Sequence, residues 1–164
     1  MKTLVLGLGN PILTDDGVGV RVAEAVRQAL PPEAPVEVSE AGLGGLTLME
    51  RLLGYERVIL IDALQVPQPQ PGRIRHLTLA DVEASAPTQH VTSAHDTSLV
   101  TALTVGRRMG LPLPRQLVIC AIEVENTVDF SDQPTAAVAA AIPRAAATVL
   151  KMLTEMEEEP HDFT

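Results

Sequence analysis

A chain of 164 residues and 17.4 kDa has room for one domain, and with 46% hydrophobic and 20% charged residues it can bury a core and is not a disordered chain. One Tyr, two Phe and no Trp mean that the core must be aliphatic, and they leave no aromatic platform for stacking bases, which counts against single-strand nucleic-acid binding. A net charge of −9 repels phosphate backbones and anionic lipid alike.

The first element is a nearly continuous apolar run, Thr3–Leu8, as expected for a parallel strand covered on both faces. Gly7-Leu8-Gly9-Asn10-Pro11 follows, and its two glycines read as a tight turn out of the strand. A dinucleotide-binding fingerprint would need a third glycine where Ile12 stands, and Asp15 and Asp16 would repel a pyrophosphate. The same run makes no signal peptide, because Asn10, Pro11, Asp15 and Asp16 break it early. Asp15 and Asp16 precede a helix over Gly17–Leu30, whose apolar face carries Val18, Val22 and Val26 and which stops at Pro31-Pro32. One acid suffices as an N-cap, which leaves the second to point elsewhere.

A weakly alternating strand, Val36–Ser39, leads into Glu40-Ala41-Gly42-Leu43-Gly44-Gly45 and a short helix, Gly45–Leu53. The next apolar strand, Arg57–Ile61, is closed by Asp62, a carboxylate that needs a cap, a turn partner or a cation. Gln65–Gly72 is a Pro- and Gln-rich surface loop before a candidate edge strand, Arg73–Leu79. Segment Ala84–Thr92 leads to Ser93-Ala94-His95-Asp96 and a helix over Thr97–Met109, ended by Gly110. Of the four histidines only His95 keeps such company: His76 lies in the edge strand, His90 in a polar loop and His161 in the tail.

Gln116–Ile122 is a third buried strand, and its Cys120 reads as a core residue rather than a nucleophile. A lone cysteine also excludes an intramolecular disulfide framework and fits a reducing compartment. Glu123-Val124-Glu125-Asn126 follows that strand. The apolar stretch Ala136–Leu150 is interrupted by Pro143, expected to kink a helix or start a new one, and by Arg144, and it is expected to be too short for a bilayer. The last helix runs to about Glu158, and residues 155–164 form an acidic tail; without its five acids the net charge is −4.

Alternating strands and helices with short connections predict one α/β domain over residues 1–164, a three-layer αβα sandwich around a mostly parallel sheet of about five strands. Ligands of such sheets bind at the carboxyl ends of the strands, where Asp16, Glu40, Asp62, His95 and Glu123 fall. Two carboxylates and an imidazole suit a borderline divalent metal such as Ni²⁺ or Zn²⁺.

These motifs, in this order, resemble those of the nickel–iron hydrogenase maturation endopeptidases: Gly7-Leu8-Gly9-Asn10-Pro11 with Asp15-Asp16-Gly17-Val18-Gly19, then Glu40-Ala41-Gly42, Asp62, Ser93-Ala94-His95-Asp96 and Ala121-Ile122-Glu123. The lone cysteine and the lack of a visible signal peptide or spanning stretch read as a soluble, cytoplasmic protein, and the resemblance implies an endopeptidase that removes a short C-terminal extension from the precursor of the hydrogenase large subunit once nickel has been inserted. It implies Asp16, Asp62 and His95 as the metal-binding residues, the nickel being carried by the substrate, and Asp16, Asp62 and Glu40 as the catalytic carboxylates. Family members often have Asp at the Glu40 position and Glu at the Asp16 position, so each carboxylate here is shifted by one methylene. A non-cleaving nickel-dependent chaperone of the same precursor would use the same three ligands. Peptidyl-tRNA hydrolases share the opening turn but continue with a His-Asn-Ala-Gly run that this chain lacks, and its pI of about 4.8 suits no RNA partner.

Overall fold

The computed structural model describes residues 1–42, 45–84 and 98–158. Its five strands are β1 (Thr3–Leu8), β2 (Val36–Ala41), β3 (Arg57–Leu64), β4 (Ile74–Leu77) and β5 (Gln116–Glu123), in the order β2-β1-β3-β5-β4. All neighbours are parallel except the edge strand β4, which runs antiparallel to β5. Leu4, Leu6, Leu8, Leu60 and Ile119 fill one face of the sheet, and Val5, Ile59, Ile61, Cys120 and Ile122 fill the other. Both faces of β1, β3 and β5 are thereby removed from water, which is why these strands read as unbroken apolar runs.

Helices α1 (Val18–Ala29) and α5 (Ala136–Glu158) cover the second face and pack on each other. Helices α2 (Gly45–Arg51), α3 (Leu79–Ala84) and α4 (Leu99–Arg108) contribute to the core of the first. This is the expected αβα sandwich. Helix α1 buries Val18, Val22 and Val26 and gives way to an extended Leu30, as the residue before a proline must. Helix α4 begins at Ser98, whose hydroxyl accepts the Thr101 N–H at 3.2 Å, and ends at Gly110 with φ of +74°.

Besides shifts of one or two residues at element ends, which take Glu40 into β2 and Glu123 into β5, three elements differ from the sequence reading. Strand β3 runs past Asp62 to Leu64, because its partner β5 continues beside it and pairs Asp62, Ala63 and Leu64 with Ala121, Ile122 and Glu123. The stretch after β4 turns helical as α3, held by a reciprocal cap in which the Thr78 N–H donates to Asp81 and the Asp81 N–H to Thr78 Oγ1. The Thr78 backbone and side-chain bonds hold the Asp81 carboxyl below its usual pKa. Helix α5 passes through Pro143 without ending and reaches 23 residues, long and apolar enough by length and composition to cross a membrane. Pro143 and Ala139 are exposed, so the carbonyl that lacks an N–H partner faces water rather than the core. The apolar face of α5, with Ala141, Ala145, Val149, Met152 and Met156, lies in the core of the sandwich.

The tightest packing is where α1 begins. A Cβ at Gly19 would lie 2.3 Å from the Ile61 carbonyl oxygen and 2.5 Å from that of Leu8. A Cβ at Gly7 would lie 2.4 Å from the Gly19 oxygen. Gly7 is therefore a packing glycine of β1 rather than a turn residue, while Gly9, with φ of +132° and its Cα against the Asp16 carbonyl, makes the turn. A Gly19→Ala substitution gains about 1 kcal/mol of helix propensity in isolation. Here the clash is with backbone, and the variant is expected to lose about 3 kcal/mol in urea unfolding. A neutral or stabilised Gly19→Ala protein would contradict this packing.

Candidate active site

The strand order places a topological switch point between β1 and β3: the chain leaves β1 for β2 on one side and returns to β3 on the other. Pairing between β1 and β3 stops at Gly7 and Ile61, so a crevice opens where β1 turns away and β3 continues into Asp62. A 3₁₀ turn, Thr14–Gly17, carries Asp15 and Asp16 to this crevice and contacts β3. Asp16 and Asp62 thus flank the switch point from its two sides.

Asp62 is fully buried. By the alternation of β3 its side chain shares a face with Leu60 and Leu64, and its Oδ1 accepts the Ala63 N–H at 2.8 Å. Asp16 is nearly buried, and its Oδ2 accepts the Asn10 N–H at 2.8 Å, tying it to the Gly7–Pro11 turn. One of the two acids was expected to cap the following helix, and Asp15 does something else. Helix α1 has Gly17 at its N-cap and no side-chain cap. The fully buried Asp15 carboxylate accepts the N–H groups of Glu125, Asn126 and Thr135, the last at 2.7 Å, together with the Thr135 hydroxyl. The Asp15 N–H in turn donates to the Asn126 carbonyl at 2.9 Å. One side chain therefore fastens the loop after β5, and the start of α5, to the turn that presents Asp16. Thr14, at φ of +52°, is the cost: a β-branched residue in the left-handed region, held by its hydroxyl to the Asp129 carbonyl.

Glu40 lies elsewhere. It is opposite Gly7 on β2, two strands and about 9.6 Å from β3, on the α1 side of the sheet. Its Oε1 pairs with Arg27 Nη2 of α1 at 3.1 Å, with the Glu40 side chain 41% exposed. His95 lies outside the described residues, and among those described no group of three or more His, Cys, Asp and Glu side chains comes together for a metal. Glu123, expected at the carboxyl edge of the sheet with the candidate ligands, is a buried carboxylate on the same face as Asp62, diagonal to it by about 8 Å. It accepts the Gln70 N–H at 3.1 Å and pairs with Arg75 Nε at 3.3 Å and Arg73 Nε at 3.7 Å, clamping β4 and the preceding loop to β5. The signal for this role was the i, i+2 spacing of Arg73 and Arg75 on an edge strand next to a buried acid.

The family model described as HycI, hydrogenase maturation protease, matches residues 20–152. This chain belongs to the hydrogenase maturation protease family. It is 31% identical over 126 residues to the hydrogenase 2 maturation protease of Escherichia coli K12, covering 77% of this chain and 75% of that protein. It is 28% identical over 152 residues to the hydrogenase expression/formation protein HupD of Rhizobium leguminosarum, covering 93% and 74%. Among solved structures, the hydrogenase maturating endopeptidase HybD from E. coli superposes with a TM-score of 0.75 at 29% identity, over 94% of this chain and 93% of that one. HybD from Thermococcus kodakarensis, at 19% identity and a TM-score of 0.64 over 93% and 99%, shares the fold.

As a maturation protease the chain is a hydrolase, and membership of this family sets aside the peptidyl-tRNA hydrolase reading. Cys120 offers this hydrolase no nucleophile: burial inside β5 pushes its thiol up to about 12.

Two outcomes are expected. Asp15→Ala strands three part-buried N–H groups and costs about 2 kcal/mol in urea unfolding, with Asp15→Asn, which keeps one acceptor oxygen, losing less. Cys120 in the folded protein at pH 8 reacts with an aromatic disulfide reagent only at the rate of global opening, so added urea accelerates it steeply; rapid modification without denaturant would contradict its burial.

Proposed function

We propose that this protease removes the C-terminal extension of a nickel–iron hydrogenase large-subunit precursor after nickel has entered it, and that it reads the nickel with Asp16, Asp62 and His95. The observation that carries the reading is the pair of buried carboxylates, Asp16 and Asp62, on the two sides of the β1/β3 switch point. Two carboxylates and one imidazole are a donor set suited to a borderline divalent cation, and they supply the coordination positions that a half-closed precursor leaves open. Binding through substrate-borne nickel couples recognition of the maturation state to placement of the scissile peptide, which is catalysis by proximity.

In the hydrolysis, water adds its hydroxide to the scissile carbonyl carbon, the C–N bond breaks, and the proton passes to the departing amine. Nickel held by the precursor would supply Lewis acidity at the carbonyl, and a carboxylate of the site takes the proton from water. Glu40 serves as that base only by leaving Arg27. The pair is exposed, and giving it up costs at most about 1 kcal/mol.

Incubation with nickel-loaded and nickel-free precursor, followed by intact mass, tests the proposal. Wild type is expected to remove a short C-terminal peptide from the loaded form only. Asp16→Asn, Asp62→Asn and His95→Ala are expected to slow this by about a hundredfold or more, while Glu40→Gln does so only if Glu40 is the base. Tight, nickel-dependent binding with no change of mass would replace the protease by a non-cleaving chaperone.

A further inference from the structure

The chain holds three aromatic residues, and one of them, Phe130, stands 83% exposed. It is not an isolated surface apolar residue of the ordinary kind. Val128, 77% exposed, is two residues away on the same loop, and Ile12, 53% exposed, sits on the turn after β1. The two loops are laced together by backbone: the Ser131 N–H donates to the Ile12 carbonyl at 2.9 Å and the Thr14 N–H to the Ser131 carbonyl at 3.1 Å.

The loop is cross-linked by its own side chains. The Asn126 side chain accepts the Val128 and Asp129 N–H groups and donates to the Asp129 carboxylate, and Ser131 Oγ accepts the Gln133 N–H. Ordering a loop in order to hold Val128 and Phe130 in water gains the isolated chain nothing. It prepays the entropy of a contact made with something else. The rim is acidic on balance, with Glu125, Asp129 and Asp132 all exposed against one cation, Arg21, whose guanidinium donates to the carbonyls of Pro11 and Asp132. A second copy docking about a twofold axis would set these acids against themselves. The occupant that fits is therefore another protein presenting an apolar patch with a basic rim.

We infer that Phe130, Val128 and Ile12 are the docking anchor for the hydrogenase precursor beside its scissile segment, with Glu125, Asp129 and Asp132 pairing to basic groups of that precursor. The inference rests on the proposed function for the identity of the partner, and on continuity with the site for its position: the loop is fastened by Asp15 to the turn that carries Asp16.

The test uses the full chain and nickel-loaded precursor, measuring calorimetric binding and steady-state cleavage for wild type, Phe130→Ser, Val128→Ser, Asp132→Lys and Met109→Ser. Met109 is 70% exposed at the far end of α4 and serves as the control. Phe130→Ser is expected to weaken binding and raise KM at least about tenfold, with an unchanged melting temperature. Val128→Ser gives a smaller loss, and Asp132→Lys a loss that shrinks as salt is raised. Met109→Ser matches wild type. Equal affinity of Phe130→Ser and wild type overturns the inference, as does a wild-type dimer in sedimentation that Phe130→Ser dissociates. Wild type that binds through Phe130 without cleaving keeps the docking surface and removes the protease reading, whereas wild type that cleaves with Phe130 dispensable does the reverse.

Discussion

The approach of α1 to the ends of β1 and β3 sets the rest of the molecule. With no Cβ at Gly7 or Gly19, the backbone of α1 lies directly on the carbonyls of Leu8 and Ile61. A helix seated this low must be entered by a compact turn, and the chain supplies one through Gly9, whose Cα rests on Asp16, and Gly17, whose Cα rests on Pro11. Asp16 is thereby held at the mouth of the crevice by backbone packing, together with the bond from the Asn10 N–H to its carboxylate. The Gly-x-Gly of this fold is a packing device for helix and strand, and it owes nothing to phosphate.

Four buried carboxylates share this end of the sheet, and beside Asp16 the other three differ in their partners. Asp15 accepts backbone N–H groups and a hydroxyl and so organises a loop. Glu123 is met by two arginines, so its charge is compensated and its position is structural. Asp62 accepts the N–H of its own neighbour, Ala63, a local bond that fixes the rotamer.

Much of the fold was legible because both faces of the central strands are covered: β1, β3 and β5 are long apolar runs, and α1 and α4 have three-to-four-residue periodicity with clear ends at Pro31 and Gly110. The end of β3 was not, since Asp62 looks like a terminus in sequence and only the length of β5 carries the strand onward. Helix α3 was missed although its Thr78-x-x-Asp81 cap stands in the sequence, because six residues are too few for a periodic signal. The edge of the sheet on which Asp16 and Asp62 lie was readable from strand order alone. The division of labour between Asp15 and Asp16 was not: it depends on residues 125–135, more than a hundred positions away, and no local pattern encodes that contact.

The Asp15 tie also makes binding and chemistry mechanically one unit. Phe130 is held by a loop whose backbone N–H groups at 125 and 126 end on the Asp15 carboxylate, and the next residue along the chain from Asp15 is Asp16. A partner that seats on Phe130 bears on a loop that cannot move independently of the turn beneath it. Were the loop joined to the body by exposed side-chain pairs alone, each worth a few tenths of a kcal/mol, docking could shift it without consequence for the site. A fully buried carboxylate with several donors gives way only at the cost of several unsatisfied groups, so the distance from the anchor to Asp16 is fixed before the partner arrives. That fixed distance is a ruler, and a precursor whose docking patch and nickel are not yet in their mature relation would not satisfy both ends of it.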